Sequence, residues 1–415
     1  MLITNKHALR GTYPAELQSL MNVERAEESR RWLYQWKEIA PAPTPLYELP
    51  DVAAGLGVAR FSVKDESQRS PLGSFKALGA PVALLRWILR QLPGLDPAAV
   101  FAGRYADQLQ GYTVISATDG NHGRALAAAA RDAGCRCVIV LHAKVSLERE
   151  EAISRYGAQI VRIEGNYDES VAEAARLAAA NGWQVISDTS YEDYEEIPLD
   201  VMQGYATIAA EIVAQAGVSP GQAGPYTHVF LQGGVGGIAA GVASYLWECQ
   251  GRHRPRFIVV EPVQADCLLQ SAIHGRPAKA TGTVDSVMAG LACGEASPLA
   301  WKFLAPAVDH FMTVEDGEAI EAMRVLAQGS ERDMPIVAGE SGVVGLAAMR
   351  ALRRDAALAG QLGLEERSSV LMINTEGATA ASVYQDLIGE SAASVLHRQA
   401  RRRAARDAAD MPYGT

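Results

Sequence analysis

Residues 228–241 read HVFLQGGVGGIAAG, a strand-like apolar run that breaks into glycines and resumes as a pattern of small helical residues. Three structures are compatible with such a stretch. Extended to Trp247 it carries no charge and contains Gly237-x-x-x-Gly241, the length and spacing of a membrane helix. Its five glycines and Gln232 weaken the hydropathy, and its first residues have strand character, so the membrane reading is set aside. As strand–loop–helix, Gly234-x-Gly236-x-x-Ala239 fits a dinucleotide-binding fingerprint, and the next strand, FIVVE, ends in Glu261 where a ribose-binding acid belongs. The loop Gly233, Gly234, Val235, Gly236, Gly237 also fits a simple phosphate cradle. Its successive glycines let backbone N–H groups curl around an anion in front of a helix N-terminus. By itself the loop leaves the last two readings open.

Working outward, apolar runs alternate with helical patterns. Strands are expected at Thr113–Ser116, Cys137–Leu141, Ile160–Ile163, Gln184–Ile186, His228–Leu231, Phe257–Glu261 and Val370–Ile373. Strands separated by helices imply an α/β fold with open, mostly parallel twisted sheets flanked by helices. Breaks fall near Gly94-Leu-Asp-Pro and at Gly217–Pro225, a Gly- and Pro-rich linker. They divide the chain into a discontinuous large domain (1–90 and 226–396), a small domain (91–225) and an Arg-rich tail (397–415) read as a solvated helix.

The chain has 415 residues and a formal net charge of −10, a balance that gives no reason to expect a nucleic-acid partner and mildly suits a cationic small substrate. Five cysteines are too few and odd in number for a disulfide framework, and Cys135-Arg-Cys137 without a second pair is no zinc site. A Cys267–Cys293 bridge is a minor alternative. The N-terminus has no apolar core of signal-peptide length, so a cytoplasmic protein is expected.

Two further stretches decide what the glycine loop holds. In SPLGSFKALG (70–79), Ser74 is the expected N-cap and places Lys76, after Phe75, in the first turn of a helix. The positive end of the helix dipole and apolar neighbours both favour a neutral amine there, the species that attacks carbonyls and forms Schiff bases. In SATDGNHG (116–123), the start of a helix after a strand offers free N–H groups for a carboxylate, Asn121 a hydrogen bond to a ring oxygen, and Asp119 an acid. A dehydrogenase requires neither stretch. An aldehyde for the lysine, a ring oxygen for the asparagine and a monophosphate for the glycines meet in one ligand, pyridoxal 5′-phosphate (PLP).

With these motifs in place the chain resembles the fold type II PLP enzymes, the tryptophan synthase β and threonine deaminase group. Within that group it resembles the diaminopropionate ammonia-lyases. The marks are residues 44–80, SATDGNHG, DTSYEDYEEIP (188–198), GLACGE (290–295) and NTEGAT (374–379), within a likeness running from roughly residue 40 to 390. The resemblance implies a PLP cleft between a large and a small domain, and a homodimer. It implies Lys76 as Schiff-base lysine and base, with Phe75 beside it, Asn121 on the ring hydroxyl, and the backbone of 233–237 on the phosphate. Ser116, Ala117 and Thr118 would lie near the substrate carboxylate, and Asp119 and Asp188 would be acids of the active site. The position facing the pyridine nitrogen falls at Asn374 or Thr375; either is neutral and would leave that nitrogen largely unprotonated.

The implied reaction is elimination from 2,3-diaminopropionate, in both D and L forms, to pyruvate and two ammonia. Asp188 would hold the β-ammonium, and Asp119 would serve either as a second base for the D-isomer or as a β-amine ligand or helix cap. His122 is read as packing support, Cys293 as cavity wall, and Tyr167 as packing in the small domain. A serine/threonine dehydratase or β-replacement synthase of the same fold is the alternative, and a nicotinamide oxidoreductase the alternative from another class. A small amino-acid substrate is expected, with no metal and no membrane or nucleic-acid partner.

Overall fold

Two sheets carry the chain in the computed structural model, which describes residues 1–118 and 120–410. The strands are β1 (Leu2–Thr4), β2 (Leu46–Glu48), β3 (Arg60–Asp65), β4 (Thr113–Ala117), β5 (Arg136–Leu141), β6 (Gln159–Arg162), β7 (Gln184–Val185), β8 (His228–Gln232), β9 (Arg256–Pro262), β10 (His310–Val314) and β11 (Ser369–Asn374). Seven form one sheet in the order β1-β10-β9-β8-β11-β3-β2, and four form another in the order β6-β5-β4-β7. Within the larger sheet β8, β9, β10, β11 and β3 run parallel, while the edge strands β1 and β2 are antiparallel. The smaller sheet is parallel throughout. The larger sheet takes strands from before and after the smaller one, and the helices cover near-continuous apolar strands, as buried parallel sheets require.

Every strand expected from an apolar run is present within a residue or two, and 229–247 is not one helix but β8 followed by the helix Gly237–Gln250. Among the described residues no helix is long and apolar enough to cross a membrane. Strand β3 escapes a hydropathy reading because RFSVKD ends in charge. Lys64 is nevertheless fully buried, with its ammonium 2.6 Å from Glu211. Arg69, also buried, pairs with Glu211 at 2.6 Å and Glu66 at 2.8 Å, and the Thr44 hydroxyl donates to Glu66 at 2.6 Å. Two cations and two carboxylates thus neutralise one another inside the protein, the condition under which buried charge is tolerated.

That network fastens the helix Thr207–Gln215 to the large sheet, and the neighbouring helix Glu196–Tyr205 packs on Lys76–Gln91 and Gly237–Gln250. Residues 196–215 therefore pack with the larger sheet, although the linker at Gly217–Pro225 follows them in sequence. The Arg-rich C-terminal segment belongs to a helix that starts earlier, at Ala392, and runs to Asp410.

The helix that begins at Lys76 is set by backbone proximity. At Gly204 an added Cβ would lie 2.1 Å from the Leu78 carbonyl oxygen, and at Gly79 it would lie 2.4 Å from the Tyr205 ring. The first obstacle is backbone and cannot rotate away. Gly204→Ala should therefore lower stability by about 1–3 kcal/mol, read as an earlier midpoint in urea or thermal unfolding. An unchanged midpoint would show that this crossing does not fix the lysine helix.

Candidate active site

The lysine helix starts one residue later than its expected cap suggests. Phe75 occupies the N-cap position without a side-chain cap bond, and Lys76 is the first helical residue. Ser74 instead pairs through its backbone with Glu376, and the Phe75 N–H donates to the Thr375 carbonyl at 2.9 Å. The entry to this helix is thereby stitched to the segment that follows β11.

Strand β4 leads into the helix Asn121–Ala133, whose N-cap is Gly120. Thr118 does the capping work: its hydroxyl accepts from the N–H groups of Gly120 at 3.1 Å and Gly123 at 3.2 Å. This leaves the Asn121 side chain for another partner, and its Nδ2 donates to Glu376 at 2.6 Å. Asp119 lies outside the described residues.

The glycine loop follows β8. Gly234 and Gly236 adopt positive φ, +63° and +103°, and the helix begins at Gly237. A Cβ at Gly236 would come within 2.8 Å of Leu304 and 3.0 Å of Ala300, so that residue faces the protein. Gly233, Gly234, Val235 and Gly237 line the cavity. A left-handed loop of glycines around Val235, in front of a 14-residue helix, fits a phosphate. The same geometry removes the dinucleotide reading. Glu261 is buried, and its carboxylate accepts from the N–H groups of Leu268 at 2.9 Å and Leu269 at 2.8 Å. A Cβ at Gly233 would sit 2.3 Å from its Cγ. Burial pushes its pKa up to about 8. This acid supports the loop from beneath and has no open side for a ribose.

These elements surround a cavity. Into it Lys76 projects its ammonium, ion-paired with the Asp188 carboxylate from the loop after β7. The ammonium also lies 5.1 Å from the Phe75 ring centre and 5.6 Å from that of Tyr205. The expected lowering of the lysine pKa is not what this geometry produces. Burial does act to lower it, but Asp188 outweighs burial, with Tyr205 adding to the same effect, and the amine is held charged well above its usual range. Burial likewise pushes Asp188 up, while Lys76 and then His122 outweigh it and leave a carboxylate well below the usual range.

His122 is buried, with Nε2 2.8 Å from the Ile186 carbonyl and Nδ1 3.8 Å from Asp188. Burial lowers its pKa, opposed by Asp188.

Of the residues expected at the site, Phe75, Lys76, Ala117, Thr118, Asn121, Asp188, Gly233, Gly234, Val235, Gly237 and Thr375 line the cavity. Ser116 does not: it is buried behind the wall with its hydroxyl on the Ala117 carbonyl at 3.3 Å. Asn374 does not either. Its Nδ2 donates to Asp65 at 2.8 Å and to the Val337 carbonyl at 3.1 Å, within the core. His122 and Cys293 are wall residues, and so is Tyr167, which the sequence reading had packing elsewhere. All five cysteines are thiols, so Cys267 and Cys293 are not bridged.

Sequence reasoning missed Arg149, Tyr205, Ser341 and Glu376, which also line the cavity. Glu376 stands within NTEGAT, directly after Asn374 and Thr375. Beside it, burial and then Glu376 push the Glu340 pKa up to about 7, against Arg149 at 3.5 Å.

A sequence profile of the family described as pyridoxal-phosphate dependent enzyme matches residues 38–376. The diaminopropionate ammonia-lyase of Escherichia coli (strain K12) is 36% identical over 385 residues, covering 91% of this chain and 94% of that protein. Its counterpart from Salmonella typhimurium (strain LT2) is 37% identical over 357 residues, covering 84% and 88%. Among solved structures, Escherichia coli diaminopropionate ammonia lyase in complex with an aminoacrylate-PLP azomethine reaction intermediate superposes with a TM-score of 0.82 at 35% identity, over 94% of this chain and 96% of that one.

Only a neutral amine attacks an aldehyde. In the parent apoprotein, capture of pyridoxal phosphate should accelerate toward alkaline pH as Lys76 loses its proton. Asp188→Asn removes the charge that holds that proton, so the half-maximal pH of the capture rate should fall by at least about one unit. An unchanged profile would mean that Asp188 does not govern the lysine.

Proposed function

We propose that this chain, which belongs to the pyridoxal-phosphate dependent enzyme family and within it to the diaminopropionate ammonia-lyases, eliminates ammonia from 2,3-diaminopropionate, releasing pyruvate and a second ammonia. The observation that carries the reading is the Lys76–Asp188 pair in a cavity floored by a glycine loop. The residues fit the cofactor: Lys76 for its aldehyde, the backbone of Gly233–Gly237 for its phosphate, Asn121 for its ring oxygen, and Thr375 rather than Asn374 for its pyridine nitrogen. A neutral hydroxyl at Thr375 leaves that nitrogen largely unprotonated. Bound there, pyridoxal phosphate supplies an electron sink for negative charge developing at the substrate α-carbon.

The chain's own groups do the rest. The amine of Lys76 takes the α-proton. Ala117, Thr118 and the start of the helix Asn121–Ala133 offer the seat for the substrate carboxylate. Asp188 holds the β-amine as ammonium, the form that leaves as ammonia without needing a further proton. A charge-assisted contact of this kind contributes about 1.5–3 kcal/mol, roughly tenfold to a hundredfold against a neutral β-hydroxyl. Asp119 is the base for the D-isomer on this reading, as the family resemblance implies. The family reading carries with it a small amino-acid substrate and favours a cytoplasmic homodimer.

Pyruvate and ammonia release, measured separately with D- and L-diaminopropionate and with serine, tests the assignment. Both isomers should turn over, with kcat/KM for serine at least about tenfold lower. Lys76→Ala should abolish release from every substrate. Comparable turnover of serine would replace the assignment with a dehydratase. Selective loss of the D-isomer reaction in Asp119→Asn would mark the second base, and equal loss of both would assign Asp119 to binding.

A further inference from the structure

The cavity contains a carboxylate that none of these steps uses. Glu376 is only 5% exposed. Its Oε2 accepts from Asn121 Nδ2 at 2.6 Å and from the Thr379 hydroxyl at 3.5 Å, and its Oε1 accepts from the Ser341 N–H at 3.3 Å. The segment does not need this carboxylate to stay in place. Its backbone is already tied by the bridge to Ser74, by Gly339 N–H donating to the Glu376 carbonyl at 2.8 Å, and by Gly377 N–H donating to the Gly73 carbonyl at 2.9 Å. A buried charge retained without a scaffolding task points to function.

Its contact with Asn121 defines that task. The amide nitrogen of Asn121 carries two hydrogens, and Glu376 takes one. With the nitrogen anchored, a flip of the amide would set its oxygen against a carboxylate oxygen, an arrangement of two acceptors with no proton between them. The second hydrogen is therefore the one offered to a ligand, and a negative charge stands directly behind it.

We propose that Glu376 is a positioning residue of the cofactor site, acting through Asn121 to fix the donor presented to the ring oxygen and to set the proton affinity of the bound chromophore. The inference rests on the reading of Asn121 as the ring-oxygen partner. Other titratable or charged groups facing this space among the described residues are Glu340 with Arg149 beside it, and Lys76, Asp188, His122, Tyr167, Tyr205 and Cys293 in the cavity wall. Glu340 is the like-charged neighbour to be controlled for, since it shares the local field with Glu376.

The charge behind Asn121 opposes loss of a proton from the chromophore, so removing it makes that proton leave at lower pH. In the purified holoenzyme, Glu376→Gln should lower the pH midpoint of the visible absorption band by about one unit. Glu376→Asp, which keeps the charge but withdraws it by one methylene, should give a midpoint between parent and Gln variant. In an Asn121→Ala background, Glu376→Gln should move the midpoint far less, and Glu340→Gln in the parent should move it less than Glu376→Gln. A parental midpoint in Glu376→Gln, an Asp variant displaced as far as the Gln variant, or a full shift persisting without Asn121 would each overturn the proposal. Absence of any visible band in the parent would instead overturn the Schiff-base reading beneath it.

Discussion

The ammonium at the head of the helix Lys76–Gln91 and the carboxylate of Asp188 come from different sheets, and each is in a costly place without the other. Lys76 stands where the helix dipole and burial both disfavour a cation. Asp188 stands where burial disfavours an anion. Paired, both stay charged. The pair spans the cleft between the seven-stranded sheet's lysine helix and the loop after β7 of the four-stranded one, so the two halves of the cavity have an electrostatic reason to face each other. Other features of the site serve to keep that meeting point in register: the stitching of Phe75 to Thr375, the close crossing at Gly204, and the buried carboxylates of Glu211 and Glu66 that neutralise Lys64 and Arg69.

The glycine loop shows why a fingerprint and its function are separable. Gly234 and Gly236 take up the left-handed conformations that a phosphate cradle needs, and a dinucleotide fold would ask for the same. What separates the two is the acid. Glu261 stands at the spacing of a ribose ligand, yet it is turned under the loop, against Gly233 and onto the first N–H groups of the helix Cys267–His274. Its carboxylate thus serves a helix end, and a monophosphate is what the loop above can take.

The fold was legible in most of the parallel strands, where burial is written as a run of apolar residues, but β10 (HFMTV) goes unread although all five of its residues are buried. It was illegible at β3, because Lys64 and Asp65 look like surface residues until Glu211, 147 positions away, is placed beside the lysine. The site follows the same rule. Lys76, Asn121 and the glycines carry local signatures, a helix start, a βα loop and a strand–loop–helix. Their partners do not. Asp188 lies 112 positions from Lys76, and Glu376 lies 255 from Asn121. The sign of the lysine's pKa shift was missed for this reason: the local environment lowers it, and a charge brought by the fold reverses it. Ser116 and Asn374 were misplaced for the converse reason, since a polar residue beside a motif is as readily consumed by its own backbone or core neighbours as by a ligand.

The pair also explains how one carboxylate can serve loading and selectivity in turn. While Lys76 is a free ammonium, Asp188 is neutralised by it, and the cavity holds no net charge from these two groups. With the proposed function, engagement of the amine by pyridoxal phosphate would weaken the lysine's hold on Asp188, and a buried carboxylate would call for another cation, which a β-ammonium would supply and a β-hydroxyl would not. Selectivity for a diamino acid would then follow from the charge that Asp188 must keep balanced. On the proposed reading Glu376 and Asn121 would form a second front, toward the ring. There the charge has a neutral amide between itself and the ligand, so it tunes a proton without binding the substrate.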